Sequence, residues 1–316
     1  MSTAVIGPVS DGLTHDGLLY RSDEDYVAGV TSFLTSGIER GLPTFVAVPW
    51  RNVLLLRDGL GDTAREVQFE DMTVIGHNPA RIIPAIRRFL DSHRGSRVKF
   101  VGEPIWPGRT PAEIVEATRH EAMLNTAFAA AAVDILCPYD VIGLDPATVA
   151  DAWRTHPTVV DGDARLASSR YEDPARIYLG DDPALPPPAV PVEAVTVDAD
   201  SLAMVRELVR ACADTAGLSA KRSDDLVLAV NEIATNSIIH GGGSGSLRLW
   251  HEPPAVICEL RDGGHLTDPL AGRRRPADHT DHGRGLWMAN QLCDLVQIRS
   301  NETGTTIRLH VRATTG

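Results

Sequence analysis

The segment Asp181 to Pro191, DDPALPPPAVP, holds five of the chain's 21 prolines. Proline fixes φ and lacks an amide hydrogen, so neither a helix nor a central strand can run through such a density. The segment reads as an extended, fairly stiff connector. A chain of 316 residues is long enough for about two domains, each able to bury a core of its own. The organisation predicted is a first domain over residues 1–165, a proline-rich linker over 166–192 and a second domain over 193–316. No internal repeat is visible.

Composition narrows the functions open to these parts. The sequence is 43% hydrophobic and 23% charged, an ordinary globular balance, with a formal net charge of -12. Affinity for a phosphate backbone comes from concentrated Lys and Arg, so direct nucleic-acid binding is not expected. The one basic run, Arg273 to Arg275, reads as a solvated loop. Only two of the 30 cations are lysines, Lys99 and Lys221, and neither follows a glycine-rich turn. Any nucleotide site here therefore works without a P-loop lysine. Cys137, Cys212, Cys258 and Cys293 stand singly without CxxC spacing, so they signal neither a zinc site nor a disulfide framework and read as reduced core thiols. The start of the chain has no basic segment followed by an apolar core, and no stretch approaches the roughly 20 apolar residues of a membrane span. A cytoplasmic protein without membrane contact is expected.

Before the linker, short apolar runs alternate with helical patterns. Thr44 to Val48, Met72 to Ile75, Val98 to Val101 and Ala131 to Leu136 read as buried parallel strands. Tyr26 to Arg40, Ala80 to His93 and Pro111 to Ala127 read as helices. The alternation predicts an α/β domain with a parallel sheet covered on both faces, whose ligands collect beyond the carboxyl ends of the strands. Val101 is followed by Glu103-Pro104-Ile105-Trp106, Leu136 by Cys137-Pro138-Tyr139-Asp140, and the first strand by Trp50. These side chains either converge on one crevice suited to a small organic ligand or simply cover the sheet edge.

His15, the Gly-Leu-Pro that leads into the first strand at Gly41, Gly102-Glu103-Pro104, Arg119-His120-Glu121 with Asn125, Cys137-Pro138-Tyr139-Asp140 and His156-Pro157 together resemble the MEDS domain of DcmR-type regulators. The likeness covers most of residues 10–165. It implies a RecA-like parallel sheet that has lost its phosphate loop and serves as an input module for a small-molecule signal. His15, Glu103, Trp106, Tyr139 and Asp140 would line its sensory pocket. His120-Glu121 also has the form of a phosphoacceptor pair, but no long two-helix dimerisation segment surrounds it.

After the linker, Asp224 to His240 reads as an amphipathic helix with Asp224 and Asp225 at its N-terminus, and Glu232 and Asn236, four apart, share a face. An amide oxygen beside a carboxylate can ligate a hard cation while the carboxylate orients or deprotonates an attacking group. Gly241-Gly242-Gly243 ends the helix. The strand Val256 to Leu260 delivers Arg261-Asp262-Gly263-Gly264 at its exit. A polar stretch from Thr267 to His282 leads to Gly283-Arg284-Gly285-Leu286, which opens a helix through Leu292; glycines at a helix start let backbone amides approach phosphates. Gly304-Thr305-Thr306 precedes the strand Ile307 to Val311. Ser201 to Ala216 reads as another helix, with Arg206 and Arg210 as a solvated face or a docking edge for an acidic partner.

This order of boxes resembles the GHKL ATPase superfamily with its α+β Bergerat sandwich, and within it the RsbW-like anti-sigma-factor serine kinases, over roughly residues 195–314. The resemblance implies ATP and Mg²⁺ as cofactors. It makes Glu232 the base, Asn236 the metal ligand and Asp262 the acceptor for the adenine amino group, supported by Thr306. His240, Gly264, Gly283, Gly285 and Leu286 would complete the nucleotide site, below a lid formed by Thr267 to His282. Leu266 stands where the first glycine box usually has its second glycine, a bulky residue in place of backbone freedom. His279 and His282 in the lid read as solvated histidines. The combined expectation is a signal-responsive anti-sigma factor, acting as a serine/threonine kinase on a STAS-type anti-anti-sigma partner and so controlling a sigma factor. A non-catalytic module that sequesters its partner and a sensor histidine kinase stay open as alternatives. The oligomeric state, a homodimer included, is also open.

Overall fold

Apolar runs too short for helices and buried on both faces can only be parallel strands, and the first half of the chain is built from them. In the computed structural model, residues 12–179, 184–189, 191–276 and 283–313 are described. Contacts divide the chain into two units, Met1–Val74 with Ile86–Pro174, and Ile75–Ala85 with Ala175–Gly316. The second unit therefore takes in a short segment that the sequence reading assigns to the first domain.

The first unit runs β1 (Thr14–Tyr20), α1 (Asp23–Ile38), β2 (Thr44–Val48), α2 (Trp50–Leu60), β3 (Val67–Asp71), α3 (Met72–Ile75), α4 (Ile82–Ser92), β4 (Val98–Gly102), α5 (Pro111–Ala127), β5 (Val133–Asp140), α6 (Pro146–Thr155), β6 (Thr158–Asp161) and β7 (Ala164–Ala167), with α3 and α4 reaching into the segment of the second unit. Its sheet has the order β3-β2-β4-β5-β1-β6-β7, parallel except for the final β6–β7 pair. Every residue of β2 and β4 is buried, as the apolar runs require. Two expectations need correction. Met72 to Ile75 is the short helix α3, and the strand is the preceding Val67–Asp71, whose Gln68, Glu70 and Asp71 hide it from an apolar-run search. β1 was not anticipated, because its buried His15 and Asp16 interrupt the run; Asp16 is matched by both Nε and Nη2 of Arg165 at 3.0 Å. The start of α5 is fixed by a capping box, with Thr110 and Glu113 bonding reciprocally.

The second unit follows with α7 (Pro174–Leu179), β8 (Val195–Val197), α8 (Leu202–Thr215), α9 (Ala220–His240), β9 (Gly245–Glu252), β10 (Ala255–Asp262), α10 (Arg284–Leu292), β11 (Leu295–Asn301) and β12 (Gly304–Arg312). Its five strands are all antiparallel, in the order β11-β12-β10-β9-β8. Leu226, Val230 and Ile233 form the buried stripe of α9 and join Val205 and Val209 of α8, Ala289 of α10 and Leu247, Cys258, Leu260 and Leu309 of the sheet in one core. The helix starts at Ala220 behind a Ser219 cap, so Asp224 and Asp225 lie one turn inside it rather than at its N-terminus. On β10, Glu259 lies opposite Arg248 of β9 and Arg308 of β12 and accepts from both guanidinium groups. The proline-rich stretch returns to this face of the sheet: Pro186 O accepts from Arg308 Nη2 at 2.8 Å, and Val192 packs with Trp250, Ala255 and Ile257. Asp181 to Pro183 and Val190 of that stretch lie outside the described residues. No described helix is long and apolar enough to cross a membrane, and all four cysteines are free.

Glu259 is 4% exposed and Arg308 6%. Removing one partner of a buried pair strands the other's charge, so Glu259→Ala is expected to destabilise the second unit by about 3 kcal/mol, and adding Arg308→Met should recover most of that loss. Urea unfolding of the three proteins checks this; a double variant no more stable than Glu259→Ala contradicts it.

Candidate functional site

In the second unit, the turn after β10 and the ends of α9 and α10 enclose a cavity of about 460 Å³. Glu232 and Asn236 project from α9 toward the first turn of α10. The fit is tight, since a Cβ on Gly285 would lie 2.8 Å from Asn236 Nδ2 and 3.3 Å from Glu232 Oε2. Gly283 caps α10 with φ at 85°, in the left-handed region that glycine enters without strain. Asn236, His240, Asp262, Gly264, Gly283 and Leu286 all line the cavity.

Asp262 stands at the exit of β10 with both oxygens held. Its Oδ2 accepts from the Ser237 hydroxyl at 2.6 Å and its Oδ1 from the Gly264 amide at 2.8 Å. A side chain on Gly241 would meet Asp262 Cγ at 2.6 Å, so the close approach of α9's end to this carboxylate requires glycine. Thr306 is one residue off. The register places Thr305 opposite Asp262, and strand alternation turns Thr305 and Ile307 into the cavity and Thr306 away from it. Thr305 Oγ1 bonds Gly264 O and Ser300 Oγ, at 2.8 and 2.7 Å. Ser237 and Thr305 were missed although each is the immediate neighbour of a residue the sequence singles out.

Leu266 also lines the cavity, and its amide donates to Ser300 Oγ at 2.8 Å. No non-glycine residue among those described has a positive φ, so Leu266 acts here through bulk rather than backbone strain. The basic run is more than a solvated loop: Arg273 is buried, while Arg274 and Arg275 line the cavity. His279 and His282, with the last part of the expected lid, lie outside the described residues.

In the first unit the expected pocket residues fall into two groups with different partners. Glu103, just past β4, accepts from Tyr20 at 3.1 Å, Tyr26 at 3.4 Å and Asn52 at 2.8 Å, beyond the carboxyl ends of the strands. Asp140 closes the turn after β5 by accepting from the amides of Ile142 and Gly143. Trp106 is covered by the Arg109 guanidinium 3.7 Å from its ring centre, and Trp50, 49% exposed, begins α2. His15 belongs to the second group. Its Nε2 lies 3.1 Å from Glu121 Oε2 on α5 and 3.4 Å from Cys137 Sγ on β5, and His156 Nε2 lies 3.3 Å from the same Glu121 oxygen. Tyr139 packs edge-on to His156. Burial alone would raise the Glu121 carboxyl, but the contacts of His15 and His156 hold it well below the usual carboxylate range. Burial and the neighbouring His156 lower His15, and burial pushes the Cys137 thiol up.

Residues 14–157 match the family model of MEDS, the MEthanogen/methylotroph, DcmR Sensory domain, and residues 195–311 match that of the histidine kinase-like ATPase domain. The chain is a MEDS domain followed by a histidine kinase-like ATPase domain. A crystal structure of the RsbU and RsbW domains of Rv1364c from Mycobacterium tuberculosis is similar at 22% identity and a TM-score of 0.30, over 39% of this chain and 32% of that one. This chain thus spans about a third of that protein's length. Among curated proteins none matches.

Within the MEDS domain, burial pushes the Glu103 carboxyl up to about 8 and nearby Asp140 adds to the rise, against the hydrogen bonds from Asn52, Tyr20 and Tyr26. The folded chain therefore keeps a proton that the unfolded chain loses from about pH 4.5 upward. This contribution to stability is complete below that pH and is lost as pH rises toward 8. Glu103→Gln, neutral throughout, should flatten the decline between about pH 5 and pH 8 by up to about 1 kcal/mol per pH unit. Urea unfolding across that range checks the slope, and equal slopes for the two proteins contradict the assignment.

Proposed function

We propose that the ATPase domain binds Mg-ATP in the cavity behind α10 and transfers phosphate to a serine or threonine of a STAS-type anti-anti-sigma protein, under control of a small molecule bound by the MEDS domain. The output would be the amount of free sigma factor. One observation carries the reading: Glu232 and Asn236, one turn apart on α9, pack against Gly285 at the start of α10, and Asn236 lines a cavity whose wall also holds the doubly anchored Asp262. The residues present suit the nucleotide. Gly285 leaves room where any side chain would collide with Asn236, and Gly283 exposes the backbone at a helix N-terminus, where anions are favoured.

When bound, Mg-ATP supplies the phosphoryl group. Asn236 would ligate the cation through its amide oxygen. Glu232 would orient the attacking hydroxyl and take its proton. Asp262, kept in place by Ser237 and Gly264, would accept from the adenine amino group. Thr305 steadies the Gly264 carbonyl and so the turn that carries this wall. Arg274 and Arg275 add positive charge at the cavity wall for an anionic ligand. Leu266 favours the second reading, a domain that binds its partner without catalysis, because its side chain takes cavity space that a glycine would leave open.

Two variants of the full chain separate these readings. Glu232→Ala should retain ATP binding and lose radiolabelled transfer to a STAS protein by at least about a hundredfold. Asp262→Asn should weaken ATP binding about 10- to 100-fold by calorimetry. Binding without any transfer by the wild type establishes the non-catalytic reading, and equal transfer by wild type and Glu232→Ala removes the base assignment.

A further inference from the structure

The MEDS domain gathers four potential metal donors in its interior. His15 Nε2, Glu121 Oε2, Cys137 Sγ and His156 Nε2 all lie within 4.8 Å of one another, and all four residues are buried. They come from β1, α5, β5 and the residue after α6. Both imidazoles turn the same kind of atom inward. Asn125 Nδ2 donates to Thr155 O at 2.8 Å, which leaves Asn125 Oδ1 as the acceptor 3.1 Å from His15 Nδ1. His15 therefore carries its proton on Nδ1. His156 Nδ1 lies 2.9 Å from Ala152 O, which can only accept, and 2.9 Å from Thr155 Oγ1, whose own hydrogen goes to Asp151 O. His156 too is protonated on Nδ1.

With each Nδ1 so bonded, the two Nε2 atoms face one carboxylate oxygen at 3.1 and 3.3 Å, placed either to share a proton with it or to ligate a cation beside it. Without a proton or a metal cation among them, these three atoms would all be acceptors and would repel. His156 Nε2 and Glu121 Oε1 are fully enclosed and make no hydrogen bond. Four ligands about 2.0–2.3 Å from a tetrahedral centre stand roughly 3.3–3.8 Å apart, close to the 3.1 to 3.4 Å spacings of the three close pairs. The outward hydrogen bonds of both Nδ1 atoms are the supports that ligating histidines normally have.

We propose that His15, Glu121, Cys137 and His156 form a binding site for a borderline-soft divalent cation of the Zn²⁺ class. Two imidazoles and a thiolate select such an ion over Mg²⁺ or Ca²⁺, which prefer oxygen. Binding breaks the Cys137 S–H bond, forms a metal–sulfur bond and releases one proton to solvent. Four protein donors complete a tetrahedral shell, so the ion would tie β1, α5, β5 and the end of α6 together rather than present an open position for catalysis.

The test uses the tag-free full chain, stripped with a chelator and titrated with Zn²⁺ and, separately, Co²⁺. One equivalent of Zn²⁺ is expected to survive dialysis, and Co²⁺ should give visible bands with a near-ultraviolet thiolate-to-cobalt transition. Cys137→Ser should abolish that transition and weaken Zn²⁺ retention at least about tenfold. Cys212→Ser, on α8 of the other unit, should behave as wild type. His156→Gln, with folding checked by circular dichroism, gives a second reading and should also lose the ion. Absence of retained metal in the wild type, or unchanged retention in both Cys137→Ser and His156→Gln, overturns the site and leaves the cluster bridged by protons alone.

Discussion

The second unit is organised around a carboxylate that cannot move. Asp262 receives a hydroxyl from α9 and an amide from its own turn, and three glycines crowd it. A side chain on Gly304 would meet Asp262 O at 2.2 Å, one on Gly241 would meet its Cγ at 2.6 Å and one on Gly264 its Oδ1 at 3.0 Å. Backbone from three separate elements therefore approaches within contact of one residue, and the shape of the cavity follows from that approach. A carboxylate immobilised in this way recognises a ligand without first losing side-chain freedom, the advantage of preorganisation.

The first unit solves a different problem with similar means. Several of its buried ionisable groups sit in compensated sets: Asp16 with Arg165, Glu103 among two phenols and an amide, Glu121 between two imidazoles. The two carboxylates are pushed in opposite directions by what surrounds them. Glu103 meets neutral donors and a second acid, so burial wins and it keeps its proton. Glu121 meets imidazoles, so it stays ionised despite burial.

How much of this the sequence discloses depends on how local the cause is. The α9 stripe, the glycine-opened α10 and the Asp-Gly turn after β10 were legible, because each rests on neighbours within one element. β3 was misplaced by five residues and β1 overlooked, since polar side chains satisfied by distant partners erase the apolar run that marks a buried strand. The exchange of Thr305 for Thr306 is a matter of strand phase, set by pairing with β10. The His15, Glu121, Cys137, His156 cluster could not be read from spacing rules at all, since its members are far apart in the chain and are assembled only by the parallel sheet. Its sole sequence trace was that all four sit within motifs carrying the MEDS likeness.

Arg81 gives the division of the chain a consequence of its own. From the Ile75–Ala85 segment its guanidinium reaches the carbonyls of Asn290, Gln291 and Cys293, while Asn78 bonds the Asn290 carbonyl and side chain. These are the carbonyls that a helix leaves open at its C-terminal end. The helix whose first turn faces Glu232 is thus finished by residues encoded some two hundred positions earlier, inside the stretch that matches the MEDS family. A fragment cut at the prolines would keep the whole match to the ATPase family and still surrender those caps to water. The proline-rich stretch is a boundary in the sequence but not in the architecture, and exchanging ATPase domains between such proteins at that point would transplant an unfinished fold.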